Sequence, residues 1–225
     1  MPQIELSTAE GFPQGPQTHF KNSALSESIK TDLFSLCSPS LLESIVTMSQ
    51  LTTSRLSLAP YQADEAALMH RLTGDLRVFF WLDTPMSLEE TQAILDIKRA
   101  MFAEKKLGWW TVRETETGDF VGQACLQILP ETGEPEIGYH FVPEFQNKGY
   151  ATEAAAKLLD HGFCTLNLPR IVAVILPDNA PSQAVMKKLG LKYEKDIMKA
   201  NLLHNYFALE RPDYLAQPDY LAQKA

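Results

Sequence analysis

Polar and apolar positions change period several times along the chain, and each change marks an element. Leu56 and Leu58 alternate with polar neighbours, the period of a half-buried strand, which Pro60 ends. Asp64 to Leu72 reads as a short helix with Ala67, Leu68 and Leu72 on its apolar side. Ser87 followed by Glu90 is a capping-box pair; behind it Leu88, Thr91, Ile94, Leu95, Met101 and Phe102 fall at near-helical spacing. Trp109–Val112 and Phe120–Leu129 are strands joined by Glu-Thr-Glu-Thr-Gly-Asp, whose Gly118 marks a hairpin turn. A second turn, Pro-Glu-Thr-Gly-Glu-Pro, leads into a strand over Glu136–Val142. This half predicts an antiparallel meander after two helices.

A helix follows from Gly149 to about Phe163. Ala151, Ala154, Ala155, Leu158, Leu159 and Phe163 form one stripe, whose small residues let the helix sit close to a sheet. Ile171–Leu176 is a continuous apolar run bounded by Arg170 and Pro177, the mark of a strand buried on both faces. Strand, helix and strand from Glu136 to Leu176 predict a right-handed parallel crossover. The next helix has Asp178 or Asn179 as its cap, Pro181 in its first turn, Lys187 and Lys188 in its last, and Gly190 at its stop. Tyr193 and His204–Leu209 supply two closing strands. The expected class is α/β, a mixed, mostly antiparallel sheet flanked by helices.

Outside this span the patterning lapses. Pro2, Pro13, Pro16, Gly11 and Gly15 punctuate the beginning, although Ile29–Val46 holds enough Leu, Ile and Phe for one or two short helices. Met48 makes a natural domain start, so residues 1–47 are expected to be an extension, partly helical or disordered, or a product of start-codon choice. At the other end Pro-Asp-Tyr-Leu-Ala-Gln occurs at 212–217 and again at 218–223. Two copies are too few for a repeat architecture, and the reading is a local duplication in a frayed terminus.

The chain has 225 residues, 45% of them hydrophobic and 21% charged, a globular balance. Its net charge of −8 argues against a general nucleic-acid binder, which needs clustered Lys and Arg, and mildly favours cationic partners such as amines or basic peptides. Cys37, Cys125 and Cys164 are odd in number and widely spaced, which indicates neither a disulfide framework nor a zinc site. No metal is implied. The N-terminus lacks the basic and apolar regions of a signal peptide, and the Ile171–Leu176 run is too short to span a bilayer. The expectation is a soluble, cytoplasmic protein.

Candidate chemistry concentrates where the strand Glu136–Val142 ends and the loop Gln146-Asn147-Lys148-Gly149-Tyr150-Ala151 opens a helix. A helix N-terminus presents unpaired N–H groups and the positive end of a dipole, a ready anion site even on an acidic protein. Gly149 and Ala151 leave the backbone open to a phosphate; equally, Gly149 can serve only a tight turn before a helix.

This loop resembles the pyrophosphate-binding Gln/Arg-x-x-Gly-x-Gly/Ala loop of the GCN5-related N-acetyltransferase family, with Ala151 at the last small position. Downstream, Pro-Asp-Asn-Ala-Pro-Ser-Gln-Ala-Val-Met-Lys-Lys-Leu-Gly-Leu resembles that family's Asn-x-x-Ser helix, with Leu191 in place of its closing Phe. The segments Leu51–Pro60, Glu116–Leu126, Glu136–Phe141 and Gly149–Ala154 look like the branch named for ribosomal-protein alanine acetyltransferases. The resemblance covers residues 51 to about 212 and implies an N-acetyltransferase domain over 48–212, with 213–225 a duplicated tail.

It further implies acetyl transfer from acetyl-CoA to a primary amine, a protein N-terminus or a small molecule, by direct attack on the thioester. On this reading the backbone of Tyr139, His140, Phe141 and Val142 binds the pantetheine arm and polarises the acetyl carbonyl, through the N–H of Phe141 or Val142. The N–H groups of Asn147, Lys148, Gly149, Tyr150, Ala151 and Thr152, with Gln146 opening the loop, hold the pyrophosphate. Asn179 matches the pantetheine-contacting Asn. Lys148, Lys187 and Lys188 either reach the 3′-phosphate or are simply solvated. Ser182 matches the general acid of this branch, with first-turn capping as its other role; many relatives carry a Tyr where this chain has Met186. Glu136 and His140 lie on one face of their strand. Glu136 is the preferred base, with substrate orientation as its alternative, and His140 is a second candidate or a packed residue. Trp109, Trp110, Phe80 and Trp81 either line the acceptor pocket or belong to the core. Enzymes of this type are monomers or dimers, and a non-catalytic acyl-CoA-binding or sensor module is the alternative on the same fold.

Overall fold

The meander forms as its alternation dictates. A two-residue strand β1 (Leu51–Thr52) pairs with β2 (Leu56–Pro60), which turns Leu56, Leu58 and Pro60 inward. The computed structural model describes residues 50–105 and 107–217, so the expected extension at 1–47 and the second copy of the hexapeptide lie outside the described residues. Helix α1 (Ala66–Thr73) buries Ala66, Met69, Leu72 and Thr73. Of the three expected apolar positions only Leu72 is fully buried; Ala67 is exposed and Leu68 half-buried. The helix is rotated because Ala66 and Met69 meet Tyr61 and Leu95 in one cluster, while Leu72 meets Val78 and Phe79 in another.

Helix α2 (Leu88–Lys105) opens with the expected capping box: the Ser87 N–H donates to Glu90 Oε2 at 2.7 Å and the Glu90 N–H to Ser87 Oγ at 3.2 Å. Leu88, expected on its apolar side, is exposed in the first turn. Strands β3 (Gly108–Glu114), β4 (Phe120–Ile128) and β5 (Pro135–Phe141) then run antiparallel, turned at Gly118 and Gly133, both at positive φ.

After a 3₁₀ turn at Pro143–Phe145 comes α3 (Tyr150–Asp160), which widens into a π turn over His161–Thr165 rather than staying α-helical to Phe163. Strand β6 (Arg170–Ile175), α4 (Ala180–Lys188), β7 (Lys192–Lys199), β8 (Leu202–Glu210) and α5 (Arg211–Leu215) complete the described chain. The sheet order is β1-β2-β3-β4-β5-β6-β8-β7, antiparallel except for the pair β5–β6.

Strand alternation separates two faces. Leu58, Trp110, Leu126 and Ile137 meet Ala154, Ala155, Leu158 and Leu159 of α3 in the main core. Full burial of each large aliphatic side chain contributes about 1.5–3 kcal/mol before entropy is counted. The other face is covered by α1 and α2 and carries Gln123, Cys125, Gln127, Glu136 and His140, cross-strand neighbours by register. β6 is buried on both faces as expected: Ile171 and Ala173 join the main core, Val172 a smaller cluster with Leu129 and Tyr206.

The first copy of the hexapeptide is not a frayed end. It lies largely in α5, and Tyr214 is buried against Phe163 with ring centroids 4.8 Å apart. The folded unit therefore continues past the expected boundary at 212.

Candidate functional site

The parallel pair β5–β6 has one registered position, Glu136 opposite Val172, and beyond it the strands part. From there to Phe141, β5 is paired only with β4. The Val142 N–H donates to Val121 O at 3.1 Å, on the β4 side. Backbone polar groups point alternately to the two edges of a strand, so the N–H groups of Tyr139 and Phe141 face the gap. Of the two expected carbonyl-polarising donors Val142 is therefore already used. Its side chain is buried among Leu72, Val78 and Phe79, away from the cleft.

The gap opens into a cleft of about 910 Å³. At one end stands the N-terminus of α3. Gly149 caps it at φ 84° and Asn147 also has positive φ, 61°. The first intrahelical bond runs from the Glu153 N–H to Gly149 O, and no side chain caps the helix, so the Tyr150, Ala151 and Thr152 N–H groups are left for the cleft. Gln146 ties the loop to the strand, its amide donating to Phe141 O at 3.0 Å.

From outside, Arg55 donates to Lys148 O at 3.1 Å, lies 4.7 Å from the centre of the Tyr150 ring and bridges Glu153 at 2.6 Å. Burial works to raise the Glu153 pKa, but hydrogen bonds from Thr53 and Arg55 outweigh it and hold it below the ordinary value. That grip draws the carboxylate of the first turn onto Arg55. The Lys148 side chain rests on the Phe145 ring, 4.6 Å away, rather than lining the cleft. Lys187 and Lys188 are exposed.

The wall toward α4 holds Tyr139, Asn179 and Ser182. Asn179 is the cap, its side-chain oxygen accepting from the Ser182 N–H at 3.2 Å, so the Ser182 hydroxyl is not needed for that task. The Tyr139 hydroxyl is buried without a partner in hydrogen-bond geometry. Burial pushes its pKa up to about 12, with the neighbouring Ser182 hydroxyl opposing the rise. Met186 is buried in the main core.

At the other end Glu136 is only 5% exposed. It accepts from Lys199 at 2.7 Å and from the Gln127 amide at 3.1 Å, and Gln127 in turn accepts from the Trp109 indole N–H at 2.8 Å. His140 sits between rings, parallel to Trp109 within 8° at 5.8 Å and stacked on Phe79 at 4.7 Å. Gln123 Oε1 accepts from the Tyr61 hydroxyl at 3.0 Å and from Lys98 at 2.9 Å. Those two donors fix the amide, so its nitrogen donates to His140 Nδ1 at 3.2 Å and the imidazole carries its proton on Nε2. Burial, then the Lys98 and Lys199 cations, push the His140 pKa down to about 3. With Nδ1 engaged and Nε2 protonated, His140 is no base; Glu136 and Asp178 are the carboxylates that line the cleft among the described residues.

Twelve of the fourteen expected site residues thus line one cleft, and Val142 and Lys148 stand off it. Of the four aromatics weighed for the acceptor side, Phe80, Trp81 and Trp109 line the cleft, while Trp110 points into the main core. Sequence reasoning missed Lys98, Gln123, Gln127 and Lys199. A signal existed for two of them: Gln123 and Gln127 recur at even spacing in an otherwise apolar strand. Among the described residues no group of three or more His, Cys, Asp or Glu could hold a metal ion, and no helix is long and apolar enough to cross a membrane. Cys125 and Cys164 are free thiols, Cys125 buried in the cleft wall.

The sequence matches the family model described as an acetyltransferase (GNAT) domain over residues 55–192. It is 32% identical over 156 residues to the uncharacterized N-acetyltransferase YnaD of Bacillus subtilis, covering 67% of this chain and 89% of that one. It is 31% identical over 153 residues to the spermidine N(1)-acetyltransferase of Escherichia coli, covering 67% and 77%. Among solved structures, an acetyltransferase of the GNAT family from Bacillus anthracis superposes with a TM-score of 0.64 at 26% identity, covering 72% of this chain and 99% of that one.

Proposed function

The chain belongs to the GNAT acetyltransferase family and is an acetyl-CoA-dependent N-acetyltransferase, and from that premise we propose how its cleft divides the work. The observation that carries the proposal is the meeting, within one cleft, of a parted strand edge and an uncapped helix N-terminus. The residues present fit the cofactor. The N–H groups of Tyr150, Ala151 and Thr152, with the loop from Gln146, hold the pyrophosphate, and Gly149 at φ 84° turns the loop into the helix that presents them. The open edge of β5 at Tyr139 and Phe141 takes the pantetheine arm, with Asn179 on the opposite wall.

Acetyl-CoA supplies an activated acetyl group as a thioester. The acceptor is a primary amine, which attacks directly: the nitrogen–carbon bond forms, the carbon–sulfur bond breaks, and the nitrogen gives up a proton. Glu136 receives that proton, directly or through water. The Phe141 N–H stabilises the oxyanion. Ser182, with the Tyr139 hydroxyl beside it, returns a proton to the leaving thiolate. His140 positions rather than titrates.

Calorimetric titration of acetyl-CoA tests this reading, with ATP as the control anion and Gly149→Ala and Gly149→Asp as variants. Acetyl-CoA is expected to bind at micromolar Kd and ATP not. Gly149→Ala is expected to weaken acetyl-CoA binding, because an L side chain is strained at this φ, and Gly149→Asp to abolish it by adding a carboxylate among the N–H groups. Retained affinity in Gly149→Asp overturns the loop assignment.

A further inference from the structure

We propose that the acceptor is a monoamine whose nitrogen is flanked by an aromatic or comparably flat apolar group, and that polyamines are poor acceptors. The proposal rests on the cleft being the acetyl-transfer site, and it comes from an aromatic stretch of the cleft wall. There the walls are Val78, Phe80, Trp81 and Trp109. Phe80 and Trp81 are 53% and 41% exposed, large apolar areas turned to an open cleft rather than to the core. They are not loose: Trp81 packs on Phe79 at 4.9 Å, edge-on to Phe80 at 5.3 Å, and lies 5.7 Å from His140. The result is a preformed aromatic wall that runs from Phe80 and Trp81 past His140 to Trp109, whose indole N–H shares Gln127 with Glu136.

The charges around it admit one ammonium. Glu136 is the carboxylate lining this end, and Lys199 and Gln127 already hold it. The other lining carboxylate, Asp178, stands at the far end beside Asn179. Arg77 at the rim is bridged to Asp75 at 2.6 Å. Lys98 lies 3.6 Å from the centre of the Trp109 ring and donates its hydrogen bond to Gln123 Oε1, an amide oxygen rather than a carboxylate. A single amine can exchange for Lys199 at Glu136 while its ring lies along this aromatic wall. A second or third ammonium on the same molecule finds no further carboxylate at this end among the described residues and meets the Lys199 cation.

The test compares 2-phenylethylamine, n-propylamine and spermidine on the full chain, with kcat/KM at saturating acetyl-CoA and binding to the CoA-loaded protein read by tryptophan fluorescence. The phenyl group is expected to raise kcat/KM and affinity about tenfold or more over n-propylamine, the scale of one buried apolar group. Spermidine is expected to fall below 2-phenylethylamine. Trp81→Ala, at an exposed position, is expected to reduce the preference to about threefold or less while leaving the acetyl-CoA Kd unchanged. Acetylation with spermidine preferred, or with no phenyl preference, overturns this proposal and leaves the transferase reading standing. Selective binding of 2-phenylethylamine without turnover upholds the pocket and overturns the catalytic assignment. Failure of 2-phenylethylamine to bind more tightly than n-propylamine overturns the pocket whatever the turnover.

Discussion

Lys98 shows how a single half-buried amine shapes this site. Burial is the chief cause that pushes its pKa down to about 7, from an ordinary 10.5. Between those values the unfolded chain holds a proton that the folded chain has released, so stability on this group's account rises with pH from 7 to 10.5 and is lowest below 7. Lys98→Met removes that dependence: the melting temperature of the natural chain, taken relative to the variant, is expected to climb as pH rises from 7 to 10. A constant difference would place the Lys98 ammonium in a solvated setting. Glu136 is the residue on which the chemistry turns. Glu136→Gln keeps the shape and the Gln127 contact but cannot accept a proton, and kcat is expected to fall about 100-fold with the acetyl-CoA Kd unchanged. A rise in amine KM without loss of kcat would make Glu136 an orienting residue only.

At the scale of elements, the hairpin β7–β8 carries Lys199 to Glu136 through a two-residue turn. Lys199 stands opposite Leu202, and Ala200 and Asn201 between them have φ of 50° and 62°. Both central residues at positive φ is the arrangement of a type I′ turn, whose twist suits a hairpin and whose favoured residues are Asn and Gly. Asn201 fits; Ala200 is strained. Ala200→Gly is expected to stabilise the protein by about 1 kcal/mol, read as a shift of the denaturation midpoint. A loss of stability would count against the turn. The sequence offers no Asn-Gly or Gly-Gly pair here, which is why β7 and β8 were legible only as Tyr193 and His204–Leu209. Helix α1 was misread by rotation for a related reason: its buried side is set by Leu95 and Val78 from other elements, and its own eight residues carry too little periodicity to choose.

At the scale of the molecule, α5 closes the main core. Tyr214 is 8% exposed against Phe163, and its hydroxyl is buried without a hydrogen-bond partner. Tyr214→Ala is expected to cost about 3 kcal/mol, while Tyr214→Phe, which removes only the orphaned hydroxyl, is expected to be neutral or stabilising; chemical denaturation separates the two. Equal stability of Tyr214→Ala and the natural chain would return the terminus to the frayed state that its duplicated sequence suggested. The sequence by itself determined the strand–helix–strand crossover, the capping box of α2, the cap of α4, and the loop Gln146–Thr152, because each is written in residues adjacent along the chain: Gly149 for its φ, Asn179 for its cap, the alanine stripe of α3 for close packing. Only the tertiary structure decided which chemistry those residues meet. The gap beside Tyr139 and Phe141 exists because β5 and β6 part after Glu136, and the state of His140 depends on Gln123 of β4, Lys98 of α2 and Tyr61 just past β2. The pairing of Glu136 with Lys199, 63 positions apart, arises because the sheet order sets the β7–β8 hairpin beside β6. Local pattern specifies backbone shape; the protonation and pairing of a buried side chain are set by neighbours that the chain brings from far away.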